Sequence, residues 1–166
     1  KDIRPGLIER DASLVLQDKQ SYRAEHSVYE VGGAGLVSAI TFSRQGIKTA
    51  CITRTGKDLL ASQLKNVQKK EGLAVDYNVS IPEHHTDMNI HIVTERASDI
   101  KIKYANSHLS MSSKDLRFPH LSTRYFYFAG LPGDYRLFKY LSSWAKTHGA
   151  ETFINLTSTM GYKMAK

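Results

Sequence analysis

Apolar residues recur along this chain at two spacings. From residue 31 onward, β-type runs exchange with stretches whose apolar positions return every three to four residues. Residues 48–53 (KTACIT) follow Gly46 and predict a strand. Gly56, Lys57 and Asp58 then open a helix with Asp58 as its N-cap. Leu60, Leu64 and Val67 mark its buried stripe, and Gly72 fits a left-handed stop just past its end. Residues 73–75 (LAV) begin another extended piece. Further on, residues 125–128 (YFYF) predict an aromatic strand that ends at residues 130–133 (GLPG). Asp134 is placed to cap the next helix, whose stripe of Leu137, Phe138, Leu141, Trp144 and Ala145 fits one buried face. That helix stops near His148 and Gly149, and residues 152–154 (TFI) resume a strand. Strand, helix, strand at this spacing implies an α/β fold with a mainly parallel sheet flanked by helices. The aromatic and Trp stripes are assigned to the core and carry no functional role.

Two regions break the rhythm. Residues 22–31 (YRAEHSVYEV) mix polar and apolar residues in extended style, and residues 88–104 alternate in two runs around 95–99, which is a hairpin pattern. Alternation gives one wet and one dry face, so these strands are expected to form a small sheet apart from the parallel core. No internal repeat or low-complexity segment is present.

Composition narrows the class. Of 166 residues, 41% are hydrophobic and 23% charged, which excludes wholesale disorder and a coiled coil. A single Cys cannot close an intramolecular disulfide, which favours a reducing, cytoplasmic setting. No apolar stretch approaches the roughly 18 residues a bilayer demands, and residues 1–16 do not read as a signal peptide, so no membrane partner is expected. The sequons at Asn78 and Asn155 then count as chance matches. With 23 Lys and Arg against 16 Asp and Glu the net charge is +7. Its densest run, residues 65–71 (KNVQKKE), is the tail of a predicted helix, where cations complement the helix dipole. That placement argues for no nucleic acid partner. The chain starts without Met and is expected to be part of a longer protein.

The most informative motif is residues 31–35 (VGGAG), a glycine-rich turn running directly into residues 36–40 (LVSAI). Glycine permits close approach of backbone to ligand, and the N–H groups of a helix start bind oxygen well. No Gly-Lys-Ser/Thr follows, and the dinucleotide spacing fails. A GGxG turn alone also serves as a plain tight turn. In its wider order, however, the chain resembles the N-terminal portion of ribokinase-type (PfkB-type) carbohydrate kinases. That family shows a GGxGxNxA turn-helix, a GxxT strand, a Gly-x-Asp turn, a long helix and a Gly-Val or Gly-Leu strand; this chain follows the same order, and the likeness continues through residues 88–109, 125–132 and 144–150.

That resemblance implies a ribokinase-like fold, here an incomplete domain over residues 1–166, with lid strands around 22–31 and 88–104. It implies transfer of the γ-phosphate of ATP, as its Mg2+ complex, to a hydroxyl of a sugar or nucleoside, and a possible homodimer through the lid. Carried over by position, Gly32, Gly33 and Gly35 would line the sugar side through backbone groups. Asn89, His91 and Ile102 would lie at lid positions covering the substrate, and Gly130 at a strand end facing the cleft. Departures accompany it. Val37 stands where the family has Asn, Ala34 where some members have Lys, and Ala61 where Gly is common. The Gly-Ala-Gly-Asp motif that holds the catalytic aspartate occurs nowhere in the sequence, nor does the ATP-binding half. The segment alone is therefore expected to be inactive, with no catalytic residue of its own.

Three other readings compete with this one. A non-catalytic ligand-binding or regulatory module with the same half-fold is favoured modestly by Val37. A basic nucleic-acid-binding domain rests on charge alone. A metal site at His84, His85, Asp87 and His91 is opposed by the opposite facing of adjacent residues on an extended chain, so exposed loop histidines and no metal are expected. Cys51 reads as a buried, inert thiol.

Overall fold

A computed structural model describes residues 7–10, 13–94, 99–105, 111–116, 121–129 and 135–155. The elements in order are β1 (Leu7–Arg10), β2 (Ser13–Leu16), α1 (Ala34–Arg44), β3 (Thr53–Thr55), α2 (Leu59–Lys70), β4 (Asn78–Ser80), β5 (Met88–Val93), β6 (Asp99–Tyr104), a 3-10 turn (Ser113–Leu116), β7 (Tyr125–Ala129), α3 (Tyr135–Thr147) and β8 (Glu151–Asn155). They divide into two compact units. One comprises Lys1–Glu30 with Met88–Tyr104, and the other Val31–Asp87 with Ala105–Lys166.

The first unit holds two antiparallel hairpins. β1 pairs with β2, and β5 with β6 in the register Met88↔Tyr104 through Val93↔Asp99. The second is the hairpin that the alternation over 88–104 predicts. The first was not anticipated, because residues 7–10 (LIER) do not alternate and carry no turn signal after them. Residues 22–31 need correction: they form no strand, and residues 22–30 group with this unit while Val31 opens the other. Their main apolar residues, Val28 and Tyr29, are adjacent and so would point to opposite faces. Both stay exposed, at 79% and 70%.

The second unit is built from two parallel strand pairs, each closed by a crossover helix. β3 pairs with β4 across α2, and β7 with β8 across α3. The strand expected at 48–53 forms its ladder only from Thr53, although Ala50 bridges Ala74 upstream. Residues 51 and 52 face opposite ways, as extended chain dictates. Cys51 joins a cluster with Leu36, Ala39 and Leu73, packed by Val31, Ile40 and Leu64. Ile52 packs against Phe128, Leu137 and Leu141. These few residues thus serve both cores.

The helix boundaries follow local chemistry. Asp58 is extended and its carboxylate accepts the Ala61 N–H at 2.9 Å, while Gly72 takes the expected left-handed turn at φ 73°. Lys69 and Lys70 occupy the last turn of α2, where the dipole favours them. Its apolar stripe is only half-buried, and the residue fully buried on α2 is Gln68, at 0% exposure. Gln68 Oε1 accepts from Asn78 Nδ2, and Asn78 Oδ1 in turn accepts from the Thr53 hydroxyl at 2.9 Å. This polar chain ties α2 to both strands of the first pair. Gly149, at φ 68°, ends α3 as expected; the capping role assigned to Asp134 lies outside the described residues.

Candidate functional site: the glycine turn and the hairpin root

The glycine turn delivers α1 to the carboxyl end of β7. Gly33 is the N-cap residue of α1 with φ 93° and ψ 126°, a left-handed conformation that an L side chain rarely adopts. Its carbonyl accepts the Val37 N–H at 3.0 Å, which starts the helix. Among the described residues no side chain caps α1, and no acidic residue sits in its first turn. The first-turn N–H groups, which a helix cannot use internally, are therefore not engaged by such a cap.

The three glycines differ in what they face. A Cβ added at Gly32 or Gly33 would meet nothing within 4 Å. One at Gly35 would stand 4.0 Å from Ala129 Cβ and from Cys51 Sγ. Gly32 and Gly33 thus open outward, whereas Gly35 turns toward the end of β7 and the core. Ligands of open parallel sheets enter at the carboxyl ends of the strands, which is where this turn lies. Val37 adds an apolar side chain 50% exposed on the helix that follows. Gly130, the next residue after β7, lies outside the described residues.

The hairpin separates the other three candidates. Residues paired across an antiparallel ladder share a face, and successive residues alternate. Asn89 pairs with Lys103 and His91 with Lys101, giving one polar, cationic face. Ile102 pairs with Ile90, and Met88 with Tyr104, giving an apolar face on the other side. Asn89 and His91 share a side; Ile102 does not share it. One ligand cannot contact all three from a single side of the hairpin.

A cluster at the root of β5 was missed in the sequence. The Thr86 hydroxyl accepts the Gly56 N–H at 3.1 Å and donates to Asp58 Oδ1 at 2.8 Å, and the Thr86 N–H donates to Asp58 Oδ2 at 2.7 Å. Burial acts to raise the Asp58 carboxyl. Hydrogen bonds from Thr86 and Ala61, with His85 Nδ1 3.8 Å away, outweigh it and hold the group below its ordinary value. A depressed carboxyl stabilises the fold at pH above the unfolded value, and that stabilisation fades as pH falls through the folded one. Threonine before a strand carries no signal of such a role, so only the fold reveals it. A second cluster joins Arg54 to Asp115 at 3.7 Å, with Asp115 also accepting from the Ser112 hydroxyl at 2.9 Å.

His85 is exposed beside Asp58, while His84 is half-buried with its carbonyl against Gly56. Among the described residues no three His, Cys, Asp or Glu side chains gather into a metal-sized group. Cys51 is 8% exposed, and burial pushes its thiol up to about 11. We expect it to react with a disulfide reagent at pH 8 no faster than the chain opens. Prompt modification of the folded protein, followed by absorbance, would contradict that burial.

An open hollow of about 630 Å³ lies elsewhere, lined by Ser142, Lys146, Ala150, Glu151, Thr152 and Phe153. It sits at the amino end of the β7–β8 pair, and it does not coincide with the glycine turn. The strand-end rule favours the turn.

Comparison with known proteins gives the class. The family described as pfkB family carbohydrate kinase matches residues 6–161. This chain belongs to that family. Among solved structures, a fructokinase from Vibrio cholerae O395 in the apo form aligns with TM-score 0.66 at 17% identity, covering 87% of this chain and 50% of that one. A putative sugar kinase from Clostridium perfringens gives 0.66 at 21% identity, covering 84% and 46%. An uncharacterized sugar kinase from Pyrococcus horikoshii in complex with ATP gives 0.63 at 18%, covering 81% and 48%. The Vibrio cholerae fructokinase in its fructose, ADP and calcium ion bound form aligns at 0.59 and 17%, covering 81% and 47%. The chain therefore has the ribokinase-like fold and spans about half the length of these structures. No curated protein sequence gives a significant match.

Proposed function

We propose that this chain is the acceptor-binding side of an ATP-dependent carbohydrate kinase, with Gly32 and Gly33 presenting main-chain groups to sugar hydroxyls. The observation that carries the reading is the outward-facing glycine turn, left-handed at Gly33, where α1 begins beside the carboxyl end of β7. Gly35 supports it from behind, against Ala129 and Cys51. Gly130, which follows β7 in the sequence, is assigned to the cleft by the family resemblance alone. The hairpin β5–β6 acts as the lid. One of its faces offers Asn89 and His91 and the other Ile102, and its exposed apolar side (Met88, Ile90, Ile102, Tyr104) suits a homodimer contact through the lid.

Phosphoryl transfer needs a base to orient the hydroxyl and cations to neutralise the moving phosphoryl group. The described residues supply neither a metal-sized acidic cluster nor the Gly-Ala-Gly-Asp aspartate, and they do not fit Mg2+-ATP. The residues that would hold that group are not among those described, and the role proposed for this portion is to bind the acceptor. Within that limit, the turn can fix the acceptor. The single buried thiol fits a reducing, cytoplasmic setting. Among the described residues no helix is long and apolar enough to cross a membrane.

The reading is tested by titrating the chain with fructose and a panel of other sugars while following backbone amide resonances. Shifts should concentrate at Gly32, Gly33 and the first turn of α1. Shifts confined to other surfaces, or none with any sugar, would overturn it. If the chain binds sugar but the complete polypeptide transfers no phosphoryl group from ATP, the non-catalytic module signalled by Val37 is the better description.

A further inference from the structure

We propose that Asp58 is a positioning residue for the hairpin β5–β6, whose root it fixes by holding Thr86, two residues before β5 begins. Helix capping alone does not account for this carboxylate. A cap needs a single acceptor oxygen, and Asn, Ser and Asp serve about equally well. Here Oδ1 accepts both the Ala61 N–H at 2.9 Å and the Thr86 hydroxyl at 2.8 Å. Oδ2 accepts the Thr86 N–H at 2.7 Å, which no cap requires. Thr86, 7% exposed, closes the circuit by accepting the Gly56 N–H at 3.1 Å.

The segment leading to Thr86 lies against the same turn. The Ile81 N–H donates to the Thr55 carbonyl at 2.8 Å, and the Ser80 hydroxyl to the Gly56 carbonyl at 3.3 Å. The His84 carbonyl occupies the space a Cβ at Gly56 would need. From Ser80 to Thr86 the chain is thus tied to residues 55–58, and β5 starts at Met88. One carboxylate both starts α2 and holds the chain two residues before β5. The inference holds whether or not the hairpin covers a sugar, so its failure and the failure of the kinase reading are separate results.

The test is backbone amide hydrogen exchange in the 166-residue chain, comparing the wild type with Asp58→Asn and with Thr86→Val. Asn keeps the cap but presents an amide NH2 or a single oxygen where two acceptors are needed. Val keeps the shape of Thr and loses its hydroxyl. Both should speed exchange across Met88–Val93 and Asp99–Tyr104 by about tenfold, the scale set by losing a charge-assisted hydrogen bond. Amides of Tyr135–Thr147 should keep their wild-type rates, and the double variant should add little to either single one. Hairpin rates within twofold of wild type, or equal acceleration in the hairpin and α3, would overturn the proposal, the second result marking a purely global loss. Should Thr86→Val fail to fold, Asp58→Asn, which is neutral for the cap, decides by the same criteria. Thr86→Ser, which retains the hydroxyl, should restore wild-type hairpin rates.

Discussion

Gly56→Ala should destabilise the chain by about 3 kcal/mol or more, beyond what its small size suggests. A Cβ at this position would sit 2.1 Å from the His84 carbonyl oxygen and 2.9 Å from the carbonyl carbons of His84 and His85. All three are backbone atoms, so no side-chain rotation relieves the contact. Nor can the backbone retreat cheaply. Ile81 and Thr86 hold that segment onto residues 55–58 from either side. The β3–α2 turn, the cap of α2 and the entry to β5 must therefore shift together. Urea unfolding followed by circular dichroism measures the loss. Gly32→Ala is the control: its Cβ meets nothing within 4 Å and its φ is not left-handed, so it should leave the midpoint unchanged. Equal midpoints for the two variants would show that the 84–86 segment does not lie against Gly56.

The same residues show how far sequence reasoning reaches. Asp58, Gly72 and Gly149 were legible because caps and left-handed stops act within a few residues of their own position. The stripe from Leu137 to Ala145 was legible for a similar reason, since one helical period states which face is dry; Leu137, Leu141 and Ala145 are buried as that stripe requires. Properties decided by a distant partner were not legible. Gln68 looks like a surface residue of a Lys-rich helix end, yet it is buried and accepts a hydrogen bond from Asn78 on β4. The 22–31 run looks strand-like, yet among the described residues no partner strand pairs with it. Within the site, the glycine turn could be read directly because positive φ selects for glycine. The faces of the hairpin could not be, because the register across residues 94–98 decides whether Ile102 joins Asn89 or opposes it. Thr86 was hidden for the same reason as Gln68: its partners, Gly56 and Asp58, stand some thirty positions earlier.

In the complete kinase proposed above, Gly33→Val should abolish useful sugar binding while leaving the domain folded. At φ 93° and ψ 126° any L side chain strains the backbone, at a cost of about 1–3 kcal/mol. No clash adds to that strain, because apart from its chain neighbours no described residue lies within 4 Å of where the Cβ would go. The two branches of Val then occupy the very space in which a ligand would approach the first-turn N–H groups. Losing two main-chain hydrogen bonds of about 1.4 kcal/mol each weakens binding by about a hundredfold. Two measurements separate the effects: thermal melting reports the strain, and calorimetric titration with fructose reports the obstruction. A small drop in melting temperature with binding lost is the expected pair. Wild-type affinity in a folded Gly33→Val protein would mean that the sugar never touches this turn, and the acceptor site would have to be sought at another strand end.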